Sequence, residues 1–221
     1  ENNLYPSLTG YTGSPIINIT IMLLIMIGGI GFLTWDDICE HKWHFHRYRV
    51  QSKVILAITG FLIVVPAAFF FFEDFSALPT GTQLLVSFFQ SVTTRTAGFN
   101  TVALSAMSSA SKGIMILLML IGGAPGSTAG GIKTTTLGVL LANAVATFRQ
   151  RDNAQFFKRR IDCNTVKTAS TILTMYLTLF FGGGIFISVY EHLPLSDCLY
   201  ETSSAVGTVG LTLGITPQLR S

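Results

Sequence analysis

Four long apolar runs leave this chain few ways to fold. They cover about Pro15 to Leu33, Val54 to Phe72, Gly113 to Phe148 with an interruption, and Val166 to Tyr190. Each is near or above the roughly 20 residues a helix needs to cross a bilayer core. Only 11% of the 221 residues are charged, against about 25% in a typical soluble domain. A soluble globule is therefore excluded, and an all-α membrane protein is expected. The three cysteines, Cys39, Cys163 and Cys198, are odd in number and far apart, which supports neither a disulfide framework nor a zinc site.

The connections carry charge unevenly. Lys42, Arg47, Arg49 and Lys53 lie between the first two runs, and Arg149, Arg151, Lys158, Arg159, Arg160 and Lys167 follow the third. The other connections hold Glu73, Asp74, Glu191, Asp197 and Glu201. Lysine and arginine mark cytoplasmic loops, so both basic loops are expected inside a cell membrane crossed four times. The aromatics Phe69 to Phe72 and Phe75 read as lipid or interface packing.

The third run is interrupted by Gly122-Gly123-Ala124-Pro125-Gly126-Ser127-Thr128-Ala129-Gly130-Gly131-Ile132-Lys133-Thr134-Thr135-Thr136. Glycine and proline remove helical preference there. Non-helical backbone at mid-depth survives only where protein buries it or where it lines a watery cavity. One broken helix facing a pathway is expected.

Two external connections share a plan. Thr82 to Val92 and Asp197 to Val206 are short helix candidates, the second with Ser196 available as its cap beside Pro194. Each is too short to span, and each runs into a glycine turn, Thr94 to Asn100 and Gly207 to Thr212. Aligning Gly98 with Gly210 also aligns Thr96 with Thr208, Ser91 with Ser203 and Phe99 with Leu211. This reads as an internal repeat of span, short helix, glycine loop and span. A cation that loses its water needs oxygen ligands, and re-entrant loops supply backbone carbonyls. Glycine permits the dihedrals that turn carbonyls to one axis, and the helix C-terminus adds partial negative charge.

Thr93-Thr94-Arg95-Thr96-Ala97-Gly98-Phe99-Asn100, the stretch ending Gly130-Gly131-Ile132-Lys133-Thr134-Thr135, and Gly207-Thr208-Val209-Gly210-Leu211-Thr212 resemble the Trk/Ktr/HKT superfamily, in particular KtrB/TrkH-like potassium-uptake subunits. Ile27-Gly28-Gly29-Ile30-Gly31-Phe32 resembles an inner helix of one repeat. The resemblance implies four span–pore loop–span repeats around one pore. Residues 1–50 would then be the inner span and cytoplasmic loop of a preceding repeat, and 51–150 a complete repeat. Residues 151–221 would hold a linker, span and pore loop whose closing span is missing. We therefore expect a portion of a longer transporter or a truncated product. Residues Thr96, Ala97, Gly98, Phe99, Thr208, Val209, Gly210 and Leu211 match the potassium filter. Gly122, Gly123, Gly126, Ser127, Thr128, Gly130, Gly131 and Lys133 match an intramembrane gate. The implied partners are a second copy in a homodimer, the lipid bilayer and a cytosolic nucleotide-binding regulatory subunit (KtrA/TrkA-like). Sodium is a second implied ion. No bound cofactor, nucleic-acid partner or enzyme activity is expected.

Several decoys fall away. Ile132 separates Gly131 from Lys133, which breaks the phosphate-loop pattern. Ser127 has no base within the spans, because His41, His44, His46 and His192 all lie in loops. The cluster His41, His44 and His46 reads as a solvated loop. Lys133 either repels cations at a gate or pairs with loop carbonyls. Arg95 is expected to brace its loop by hydrogen bonds to carbonyls, since a guanidinium in the conduit would exclude cations. The rival functions are an alternating-access symporter and a non-conducting regulatory subunit.

Overall fold

The computed structural model describes residues 7–42, 44–151, 153–157 and 159–216; Lys158 of the basic connection lies outside them. Eight helices account for most of the described chain: α1 (Pro15–Ile30), α2 (Phe32–His41), α3 (Val50–Glu73), α4 (Thr80–Thr93), α5 (Ser109–Leu120), α6 (Thr134–Phe148), α7 (Cys163–Glu191) and α8 (Leu195–Val206). A two-residue hairpin, β1 (Gln155–Phe156) and β2 (Arg159–Arg160), interrupts the second basic connection, where sequence reading gave only a loop.

Among the described residues two helices, α3 and α7, are long and apolar enough to cross a membrane. The third apolar run is broken as expected, into α5 and α6. The first run is broken too, which sequence reading did not foresee. Gly31 takes φ 85° and ψ 147°, and α2 leaves α1 at 98°. The pair forms a broken span or a re-entrant turn rather than one straight helix. A side chain at Gly31 would press on the Pro125 carbonyl oxygen, 2.6 Å from where a Cβ would stand.

The short helices are packed by one rule. Helix α4 lies against α3 on one side and α1 on the other, while α8 lies against α7 and α5. Each is thus wedged between the long helix before it in sequence and a helix of the preceding unit. The central apolar cluster includes Leu62, Phe70, Val86, Met115, Met119 and Tyr200. Phe70 is fully buried there and Phe75 joins it, whereas Phe72 is 77% exposed. The aromatic run is therefore divided between core and exposed surface, because successive helical positions point about 100° apart.

Polar side chains fix the wedge. Pro66 in α3 has no amide hydrogen to offer the Leu62 carbonyl. The hydroxyl of Ser91 in α4 donates to the carbonyls of Leu62 (3.1 Å) and Ile63 (2.8 Å) instead. Gln83 Nε2 donates to the Phe71 carbonyl at 2.7 Å, a turn from the end of α3. At the other end of α3, the buried Asp37 of α2 accepts from the Arg49 amide (3.0 Å) and the Ser52 hydroxyl (2.5 Å). That carboxylate caps α3 from outside the helix, where the first amides have no helical partner.

Candidate functional site

Each wedge helix ends in a glycine loop, and the two loops have matching backbones. Thr96 and Thr208 take positive φ, 63° and 56°, and so do Gly98 and Gly210, 77° and 90°. Left-handed geometry is rare for a β-branched residue, and such outliers cluster at sites where the surrounding structure imposes them. The imposing bonds are visible. The amides of Ala97 and Gly98 turn back to the Thr93 carbonyl at 3.2 and 3.3 Å, and the Val209 amide turns back to the Ser204 carbonyl at 2.8 Å. Gly210 N donates to the Ser204 hydroxyl at 3.1 Å.

Turning the amides inward frees the oxygens. The carbonyls of Thr96, Ala97 and Gly98 in the first loop, and of Thr208 to Leu211 in the second, accept no hydrogen bond from the described residues. Phe99 differs, because its carbonyl accepts from the Thr93 hydroxyl and its ring is 45% exposed. Leu211, its aligned partner, is buried in the core with Val209.

The two loops touch. A methyl group on Gly98 would collide with the Val209 carbonyl oxygen. One cleft is lined from both loops, by Gly98, Asn100, Gly210, Leu211, Thr212 and Gly214. A second cleft brings Thr96 and Ala97 together with Gly28, Gly29, Thr128 and Ala129. The first loop therefore stands between a cleft shared with the second loop and a cleft shared with the glycine-rich break.

That break, residues 121–133, is stitched to the break in α1. The amides of Ala124 and Thr128 donate to the carbonyls of Gly29 (2.9 Å) and Gly28 (3.4 Å), and the Phe32 amide donates to the Gly126 carbonyl (3.3 Å). Each interruption satisfies backbone groups that the other leaves open. Gly122 N donates to the Ile132 carbonyl at 2.8 Å, closing the base of the loop. Gly122 and Gly131 sit in close backbone contact, and a side chain on Gly130 would strike the Thr208 hydroxyl. Ser127 Oγ donates to the Ala124 carbonyl at 2.6 Å, and Lys133 Nζ donates to the Ala129 carbonyl. All eight residues matched to the gate thus lie in one compact loop reaching the second glycine turn.

Arg95 behaves differently from expectation. It is only 7% exposed, but its guanidinium makes no hydrogen bond among the described residues. It lines a small cleft with Ile25, Met26, Gly29, Val92 and Gly123, and no hydrogen bond to its own turn is made among the described residues. The expected cap of α8 is also corrected. Pro194 occupies that position and Ser196 lies inside the first turn, its hydroxyl bonding Asp197 Oδ1 at 3.2 Å. Sequence reading missed Glu201 as part of this site. Its carboxylate holds the chain just beyond the second glycine loop. An acid in the middle of a short helix, 11 residues before the Thr212 hydroxyl it accepts from, was the available signal.

The family model TrkH, described as a cation transport protein, matches residues 4–221. Ktr system potassium uptake protein B of Bacillus subtilis (strain 168) is 34% identical over 98% of this chain and 50% of its own length. Potassium/sodium uptake protein NtpJ of Enterococcus hirae is 38% identical over 90% of this chain and 46% of its own. The crystal structure of the potassium transporter TrkH from Vibrio parahaemolyticus superposes with a TM-score of 0.79 at 16% identity. The match covers 95% of this chain and 47% of that one. The chain spans about half the length of the curated relatives it matches.

Proposed function

The chain belongs to the TrkH family of cation transport proteins, and from that premise we propose that it forms part of a membrane subunit conducting dehydrated potassium. The family transports cations and is not a family of enzymes, and the apolar helices make this a membrane-embedded protein. One observation carries the finer reading. Two touching loops have their amides turned back onto helix C-termini, which leaves the carbonyls of Thr96 to Gly98 and Thr208 to Leu211 unengaged among the described residues. Unengaged oxygens beside the negative ends of two helices replace a cation's water without competing for protons. Further oxygens complete the ring around the ion. The relatives' names, a potassium uptake protein and a potassium/sodium uptake protein, support potassium as cargo with sodium as the competing ion.

The glycine-rich loop is the gate in this reading. It lies against the Thr208 hydroxyl, so its withdrawal widens the path next to the second loop. Lys133, held on the Ala129 carbonyl, keeps its charge within the loop. A cytosolic nucleotide-binding regulatory subunit would meet the basic end bearing Arg149, Arg151, Arg159 and Arg160, and the assembly would be a homodimer. The full-length gene in a host lacking its own potassium uptake tests the transport claim. Potassium-dependent growth and rubidium uptake that saturate weakly with concentration are expected. Absence of uptake defeats the reading, and strictly stoichiometric exchange would replace it with alternating access.

A further inference from the structure

Glu201 lies in α8, 7% exposed, facing the chain that leaves the second glycine loop. Its Oε1 accepts from Thr212 Oγ1 at 2.7 Å and from the Leu213 amide at 2.8 Å. Its Oε2 accepts from Thr216 Oγ1 at 2.6 Å. Thr212 Oγ1 in turn accepts from the Gly214 amide at 2.9 Å. No lysine or arginine pairs with this carboxylate among the described residues. A buried carboxylate without a counter-charge has to be compensated by hydrogen bonds, and here all three donors come from one short stretch of chain.

The arrangement has no counterpart in the first loop. In the register that aligns Gly98 with Gly210, Phe89 of α4 stands where Glu201 stands in α8, and Phe89 is fully buried. The chain leaving the first loop is held instead by a distant segment. Leu8 N donates to the Asn100 carbonyl at 3.0 Å, Asn100 N to the Ser7 hydroxyl at 3.1 Å, and the Thr12 hydroxyl to the Thr101 carbonyl. The second loop is anchored from its own helix at both ends. Ser204 holds the amides of Val209 and Gly210, and Glu201 holds Thr212 and Leu213. The carbonyls of Thr208 to Leu211 lie between those two anchors.

We propose that Glu201 is a positioning residue for ion selection: by clamping Thr212 to Thr216 onto α8, it fixes the spacing of the Thr208 to Leu211 carbonyls. It does not coordinate the ion, because both its oxygens are engaged and the side chain is buried. The proposal rests on the potassium-conducting reading above. Ions of different radius require different oxygen spacing or different field strength, so a loosened loop discriminates less.

Three variants of the full-length protein test this, with rubidium and sodium uptake measured against the amount of protein in the membrane. In Glu201→Gln the amide oxygen still accepts from Thr212 and Leu213, and the amide nitrogen can donate to the Thr216 hydroxyl. It should keep the wild-type rubidium-over-sodium preference within about twofold. Glu201→Ala loses every bond, and the preference should fall about tenfold, equivalent to one or two hydrogen bonds. Thr212→Val removes part of the clamp without touching the carboxylate and should fall in between, which keeps the test decisive if Glu201→Ala does not reach the membrane. Wild-type preference in both Glu201→Ala and Thr212→Val overturns the proposal. So does a Gln variant as poor as the Ala variant, which would make the charge the working feature. A wild-type protein with no uptake sinks the transport reading itself rather than the role of Glu201.

Discussion

Gly98 and Gly210 occupy matching places in their loops but not matching surroundings. Both have positive φ, which costs an L-residue about 1–2 kcal/mol. Only Gly98 also abuts the opposite loop, at the Val209 carbonyl, whereas a Cβ on Gly210 would meet nothing within 4 Å. Gly98→Ala should therefore abolish rubidium uptake, while Gly210→Ala should reduce it and leave a measurable remainder. Equal losses would show that φ alone decides. Ser91 and Pro66 make a second residue-level case. Ser91→Ala leaves the Leu62 carbonyl, which Pro66 deprives of its helical partner, without a donor; the cost should be about 1–3 kcal/mol. In a Pro66→Ala background an amide returns at that position, and the same substitution should cost much less. Thermal unfolding of the four proteins in detergent measures this coupling, and additive effects would refute it. The glycine turns were legible in the sequence because left-handed backbone leaves a residue-type signature. Glu201 and Arg95 were not, since their surroundings come from loops whose path no periodicity encodes.

At the scale of elements, the ends of α4 and α8 were legible to within two residues, because apolar content stops at a polar glycine turn. Their common packing was not, as nothing in a short helix names the neighbour it will be wedged against. The break in α1 was hidden for another reason. Apolar residues continue on both sides of Gly31, and what ends the helix is a set of hydrogen bonds from a loop about 100 residues later in the chain, such as Thr128 to Gly28. Helix α2 is fastened at its start, by Phe32 to Gly126, and at its middle, by Asp37 to the start of α3. The ion pair of Arg49 with Asp36 adds little, because both side chains are more than half exposed. Asp37→Asn should cost about 1.5–3 kcal/mol, the range for hydrogen bonds to a charged group, and shift the unfolding curve of the purified protein. Asp36→Asn should not. Indistinguishable curves for the two variants would remove the capping role from Asp37.

For the molecule as a whole, charge separates the two ends. Glu73, Asp74 and Glu191 stand at the C-terminal ends of α3 and α7, and Lys53, Arg159, Arg160 and Lys167 stand at or just before the starts of those helices. The thiols report which end faces the cytosol. Cys39 and Cys163 are exposed at the basic end, whereas Cys198 is buried. In single-cysteine versions of the full-length protein, a membrane-impermeant maleimide should label Cys39 and Cys163 in inside-out vesicles and spare them in intact cells. Labelling in intact cells would reverse the orientation. Cys198 should react in neither until the protein is denatured. The paired breaks in α1 and in the α5–α6 connection have a thermodynamic corollary. Pulling the glycine-rich loop aside strips three donors from the oxygens of Gly28 and Gly29, and oil offers no substitute. Inflowing solvent is the natural replacement for those two oxygens, so displacing the loop, if it is the gate proposed above, would be coupled to wetting of the space beside it.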